Sequence, residues 1–167
     1  MPSDAFDLLG LPPAFEVDHA TIETAFLVRV AVIHPDLSRG DPEAARSSAL
    51  LSQACRILAD PEKRADVLLV RLGGPVAAQD KSLPPGFLVE MMETREEVEA
   101  AIASGDASAR AARLARAELR RAEHIRTVAG LLASLPCPSA PAALRAVRVE
   151  LNAWRYTERL IEQLAAP

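Results

Sequence analysis

The sequence predicts an all-α protein. Three observations carry this. Alanine, leucine, arginine and glutamate dominate a chain of 167 residues that is 50% hydrophobic but only 4% aromatic, a balance that favours helix over sheet. Apolar residues recur at helical period through most of the chain. The periodic stretches are separated by Asp, Pro and Gly in the order that caps and breaks helices. A chain of this size and composition can bury a proper core, in one domain or two small ones.

Composition also excludes function classes. A net charge of −4 and a pI near 5.4 supply no general basic field, which argues against phosphate-driven nucleic-acid binding. No apolar run is long enough to span a bilayer, and Met1-Pro2-Ser3-Asp4 leads directly into helix-like sequence without a signal core, so the cytoplasm is expected. Cys55 and Cys137 are the only cysteines, far apart, and offer neither a metal knuckle nor a disulfide framework. No metal and no cofactor is expected.

The first helix reads Asp4 to Leu9, capped by Asp4, ended by Gly10 and kept from resuming by Pro12-Pro13, with Phe6 and Leu9 as core residues. From Asp18, a second cap, Ile22, Ala25, Phe26, Arg29, Val30 and Ile33 recur at helical spacing up to His34-Pro35-Asp36. Pro35 disfavours helical dihedrals at His34, so the helix should stop there and display His34 and Asp36 on a turn. Asp41-Pro42-Glu43 opens the next helix, whose Ala45, Ala49, Leu50, Ala54, Ile57 and Leu58 can face the preceding one in an antiparallel hairpin. Asp60-Pro61-Glu62 repeats the signal and opens a short helix to Leu72, where Gly73-Gly74-Pro75 stops it. Residues 73–83 read as a linker.

A helix opening at Pro84-Pro85-Gly86 carries two apolar stripes. Phe87, Met91, Val98 and Ile102 follow one face; Leu88, Val89 and Met92 project from another, beside Glu93 and Glu96. After Ser104-Gly105-Asp106 a long helix should bury Ala111, Leu114, Ala115, Ala122, Ile125, Ala129 and Leu132. The last helix, from about Ala140, places Leu144, Val147, Leu151, Trp154 and Ile161 on one face and Val149, Tyr156 and Leu160 on another. Three helices joined by short turns over 84–167 make an antiparallel bundle. His19, His124, Arg145, Arg148, Arg155, Arg159 and the arginines from 110 to 121 read as solvated helix faces.

Two stretches admit competing readings on the residues alone. His34-Pro35-Asp36 can be an ordinary interhelical turn, a partner contact, or the acid–base pair of a helical hydrolase, although no nucleophile or cofactor motif accompanies it. Leu88, Val89 and Met92 can widen the core stripe, or can form a partner surface on which methionine adapts to an irregular contact and carboxylates select basic groups.

The helix order with His34-Pro35-Asp36 between two arms resembles a J domain over residues 1–72. Leu83-Pro84-Pro85-Gly86-Phe87-Leu88-Val89-Glu90-Met91-Met92-Glu93-Thr94-Arg95-Glu96-Glu97 is similar to the segment opening the C-terminal bundle of HscB-type iron–sulfur cluster co-chaperones, and Arg64-Ala65-Asp66-Val67-Leu68-Leu69 also looks like that family's J domain. The resemblance implies a non-enzymatic adaptor that stimulates the ATPase of a DnaK/HscA-class chaperone and delivers an IscU-type scaffold to it. It assigns the chaperone contact to His34, Pro35, Asp36 and Arg29, and the scaffold contact to Leu88, Val89, Met92, Glu93, Glu96 and Tyr156. A J-domain adaptor with another client is the alternative. The helix before His34 keeps one arginine where the family carries several basic residues, so electrostatic docking is expected to be weak unless Arg29, Arg39 and Arg64 gather. The tetracysteine metal module of some relatives is lacking.

Overall fold

The computed structural model describes residues 4–32, 42–136 and 139–166. Among them are seven helices and no strand: α1 (Ala5–Leu9), α2 (His19–Val32), α3 (Pro42–Ala59), α4 (Pro61–Arg71), α5 (Phe87–Ala103), α6 (Ala107–Ala133) and α7 (Pro141–Ala165). The expected all-α class is observed. The chain divides into two compact units, Met1–Leu68 and Leu69–Pro167, with the break inside α4.

In the first unit α1 and α2 both pack on α3. Asp4 accepts from the backbone N–H groups of Phe6 (2.9 Å) and Asp7 (3.1 Å), while the Asp7 carboxylate accepts from the Asp4 N–H, a reciprocal cap that fixes so short a helix. Gly10 ends it at φ 69°, a left-handed conformation open to glycine. Asp18 accepts from both the N–H (2.7 Å) and the hydroxyl (2.6 Å) of Thr21, and these bonds hold its carboxyl below the usual range. Phe6, Leu9, Phe15, Ile22, Leu51, Ala54, Leu58, Ala65 and Leu68 form the core. The α3 stripe is therefore Leu51, Ala54 and Leu58; Ala45, Ala49 and Leu50 lie exposed, because in an alanine-rich helix several faces satisfy the same spacing.

Arg64 is spent inside this unit. Its Nε donates to the Phe15 carbonyl (2.8 Å), its guanidinium also donates to the Leu58 carbonyl, and it lies 5.5 Å over the Phe15 ring. Burial pulls its pKa down. It staples the Phe15 loop to the α3–α4 junction rather than joining Arg29 in a basic surface, and Arg39 lies outside the described residues.

In the second unit α5 packs against both α6 and α7, which have the most extensive mutual interface. Asp106 caps α6 by accepting from Ser108 and Ala109 N–H groups (2.8 and 3.2 Å), and Pro141 opens α7. In one core cluster Phe87, Met91 and Val98 of α5 meet Ala117 of α6 and Ala153, Leu160 and Leu164 of α7; Val128 of α6 and Leu144, Val147, Leu151 and Trp154 of α7 are buried as well. Ile102 is exposed, whereas Ile161 is half-buried and packs against the core. The buried face of α6 is Ala117, His124 and Val128, whereas Ala111 and Ala115 are exposed.

Two polar groups expected on solvated faces, His124 and Arg148, are inside. His124 Nδ1 lies 2.6 Å from Glu150 Oε1 and its Nε2 3.1 Å from Thr157 Oγ1, with its ring stacked on Trp154 at 6.4 Å between centroids. Arg148, 1% exposed, donates from Nε to the Pro75 carbonyl (2.9 Å). Asn152 Nδ2 donates to the carbonyls of Asp80 (2.9 Å) and Ser82 (3.0 Å). Residues 75–82 are thus fastened along α7. Several α6 arginines are also engaged: Arg110 donates to the Leu164 carbonyl, and Arg113 and Arg120 pair with α5.

Candidate functional site: an exposed face of α5 and the α2–α3 junction

Helix α5 shows three sides. Its inner side carries Phe87, Met91, Val98 and Ala101. Its α6 flank carries Glu90, paired with Arg120 (2.6 Å), and Glu97, paired with Arg113 (2.7 Å). The Arg120 bond keeps the Glu90 carboxyl below the ordinary glutamate range. The remaining surface holds Leu88, Val89 and Met92, 55%, 65% and 65% exposed, so within the bundle they are not core. Glu93 and Glu96 are exposed beside them and form no ion pair among the described residues. Of the five acids of α5, Glu90 and Glu97 brace the bundle, Glu99 pairs with Arg95 on the helix's own surface (3.0 Å), and Glu93 and Glu96 face solvent.

Tyr156 bridges core and surface. Its ring meets Phe87 edge-on at 5.6 Å and 74°, and Arg159 lies 5.8 Å over it. The ring thus packs within the bundle, but the residue is half-buried and also lines a recess of about 210 Å³ with Met91, Arg95 and Arg159. Arg95 falls at i+3 from Met92 and i+7 from Leu88, so these three share one flank of α5, the flank turned toward Tyr156. The apolar strip and the tyrosine seam are neighbours. Arg159 reads from the sequence as part of a solvated face; its i+3 spacing from Tyr156 was the available signal for a place at the seam.

His34, Pro35 and Asp36, the residues expected to contact a chaperone, lie outside the described residues. The helices on either side end at Val32 and begin at Pro42. Arg29 is exposed, with its guanidinium against Gly10, where a Cβ would collide with it. It lines a recess of about 260 Å³ with Val32, Ser47 and Leu50. Leu27, Val28 and Val32, 64%, 60% and 76% exposed, make the outer surface of α2 largely apolar. No group of three metal-ligating side chains occurs among the described residues, and none of their helices is long and apolar enough to cross a membrane.

Two family descriptions match the chain, the DnaJ domain over residues 4–67 and the HSCB C-terminal oligomerisation domain over residues 83–165. The co-chaperone protein HscB homolog of Burkholderia multivorans is 32% identical over 165 residues, covering 93% of this chain and 94% of that protein. The chain belongs to the HscB family of co-chaperones. The HscB homolog of Ralstonia nicotianae is 35% identical over 133 residues, 76% of each chain. Among solved structures, chaperone HscB from Vibrio cholerae superposes with a TM-score of 0.77 at 25% identity, covering 97% of this chain and 95% of that one. Human co-chaperone protein HscB shares the fold, with a TM-score of 0.79 at 20% identity over 98% of this chain and 81% of its own. The two HscB-family matches fall one on each compact unit of the chain, with α2 and α3 in the first and the exposed face of α5 in the second.

Proposed function

We propose that this HscB-family chain is a two-site adaptor of iron–sulfur cluster biogenesis in the cytoplasm. Its J domain, residues 1–72, stimulates the ATPase of a DnaK/HscA-class chaperone through His34, Pro35, Asp36 and Arg29. Its bundle, residues 84–167, holds an IscU-type scaffold through Leu88, Val89, Met92, Glu93, Glu96 and Tyr156, with residues 73–83 between them. The observation that supports this most directly is the α5 face: three large apolar side chains exposed side by side, bordered by two carboxylates that pair with nothing in the described fold. Holding client and chaperone on one molecule raises the effective concentration of each for the other, so modest single affinities suffice.

The test is ATP turnover by the cognate chaperone with this protein and purified scaffold added singly and together. Stimulation well beyond either addition alone is expected. Stimulation by this protein that scaffold leaves unchanged would keep the J-domain role and exclude this client.

The apolar strip gives a sharper expectation. Leu88→Ala with Met92→Ala should weaken scaffold binding about tenfold to a hundredfold, roughly 1.4–2.8 kcal/mol. Because both side chains are exposed, the thermal midpoint should stay within a degree or two, as is usual for surface substitutions. Titration calorimetry and circular dichroism check the two halves. A large loss of helix content would return these residues to the core.

A further inference from the structure

A second recess, of about 300 Å³, lies between residues 77–83 and α7, on the other side of Tyr156 from the α5 seam. Its charged lining is Lys81, Arg155 and Arg159; Asn152 and Tyr156 complete its polar wall, and none of its lining residues is a carboxylate. The segment is held in place by the Asn152 amide on the Asp80 and Ser82 carbonyls. The nearby Asp80 carboxylate is turned into its own loop; bonds from the Ser82 hydroxyl and from the Ser82 N–H (2.9 Å) hold it below its usual pKa, with Arg145 and Arg148 adding to the effect. The result is a positioned cluster of cations on a chain whose net charge is −4.

Tyr156 and Arg159 line both this recess and the one bounded by Met91 and Arg95 of α5. The cationic recess therefore adjoins the Met91–Arg95 seam, Arg95 shares a flank of α5 with Leu88 and Met92, and Glu93 and Glu96 border that strip on its far side. Apart from the Arg95–Glu99 pair (3.0 Å), charge across the surface changes sign, from acidic through apolar to basic. We infer that the Lys81–Arg159 recess takes carboxylate side chains of an acidic segment on the protein that docks against Leu88 and Met92, so that opposite charges at the two ends fix its orientation. This rests on the scaffold-binding reading above and adds a second polarity to it. Charge complementarity of this kind governs encounter rate and register and is screened by salt. A like-charged patch presented in the reverse orientation would be repelled at both ends.

The test titrates the full-length protein with the purified scaffold at about 0.05 M and about 0.5 M salt, which spans strong and weak screening. Lys81→Glu and Arg159→Glu are each expected to weaken binding about tenfold at low salt, mainly through slower association, and to approach the parent protein at high salt. Arg159→Lys should stay near the parent affinity. Lys81 lies on an exposed segment outside the core, so its reversal reads the recess even if Arg159→Glu disturbs the Tyr156 packing. Parent-like affinity in both reversal variants, with Leu88→Ala and Met92→Ala still weakening binding, would overturn the recess while leaving the scaffold surface standing. Parent-like affinity in all of them would overturn both.

Discussion

His34→Gln is expected to abolish stimulation of the chaperone's ATPase, by at least about tenfold, as for a dominant contact residue, while scaffold affinity stays at the parent value. Glutamine keeps a polar side chain of similar reach but replaces a planar ring bearing two nitrogens with an amide, so a contact built around the imidazole is lost without adding charge. Pro35 remains to disfavour helical dihedrals at position 34, and the flanking helices keep their own anchors, Ile22 on α2 and Leu51, Ala54 and Leu58 on α3. The α5 face belongs to the other compact unit, which is why the two activities should separate. ATP turnover alongside calorimetric scaffold binding checks this. Simultaneous loss of both would mean that the sites are not separable.

Trp154→Ala is expected to be the most damaging single change to the bundle, costing about 3–5 kcal/mol, the range for truncating a fully buried aromatic. Trp154 is 0% exposed, donates from Nε1 to Glu158 Oε1 at 2.6 Å and stacks on His124. Truncation opens a cavity between α6 and α7, removes the ring that supports His124 and strips Glu158 of its closest donor, leaving Arg121 at 3.8 Å. For a unit of this size the thermal midpoint should fall by more than about 10 °C. Trp154→Phe should retain much of the packing but not the Glu158 bond, and should fall between. As the only tryptophan of the chain, the parent residue also reports unfolding of this unit by its fluorescence. A Trp154→Ala midpoint within a degree or two of the parent would mean that the indole does not carry the α6–α7 interface.

Most helix boundaries were legible because the local chemistry is unambiguous: Asp4, Asp18, Asp60 and Asp106 each accept from backbone N–H groups of a first turn, and Gly10 adopts the left-handed conformation expected of a helix stop. The two stripes of α5 were legible for the same reason, since Leu88, Val89 and Met92 depart from the Phe87–Met91–Val98 spacing. What the spacing left open was whether the second stripe met a neighbouring helix. The buried face of α6 was misread because alanines surround that helix and its decisive residue is polar: His124 goes inside only because Glu150 and Thr157 of α7 satisfy both ring nitrogens. Arg148 was misread likewise, since the Pro75 carbonyl that receives it is supplied from 73 positions away.

The sequence by itself determined the all-α class, the cap-delimited helices, the likeness to HscB-type chains and the identity of the residues on the second α5 stripe, because all of these depend on interactions within a few residues of one another. The tertiary structure alone decided which polar groups are interior, that Arg64 serves the first unit's core rather than a docking surface, that Glu90 and Glu97 are paired while Glu93 and Glu96 are not, and that residues 77–83 close a cationic recess on α7. Each of those depends on a partner brought near by packing, and a charged or polar side chain takes its role from that partner rather than from its own place in the periodicity.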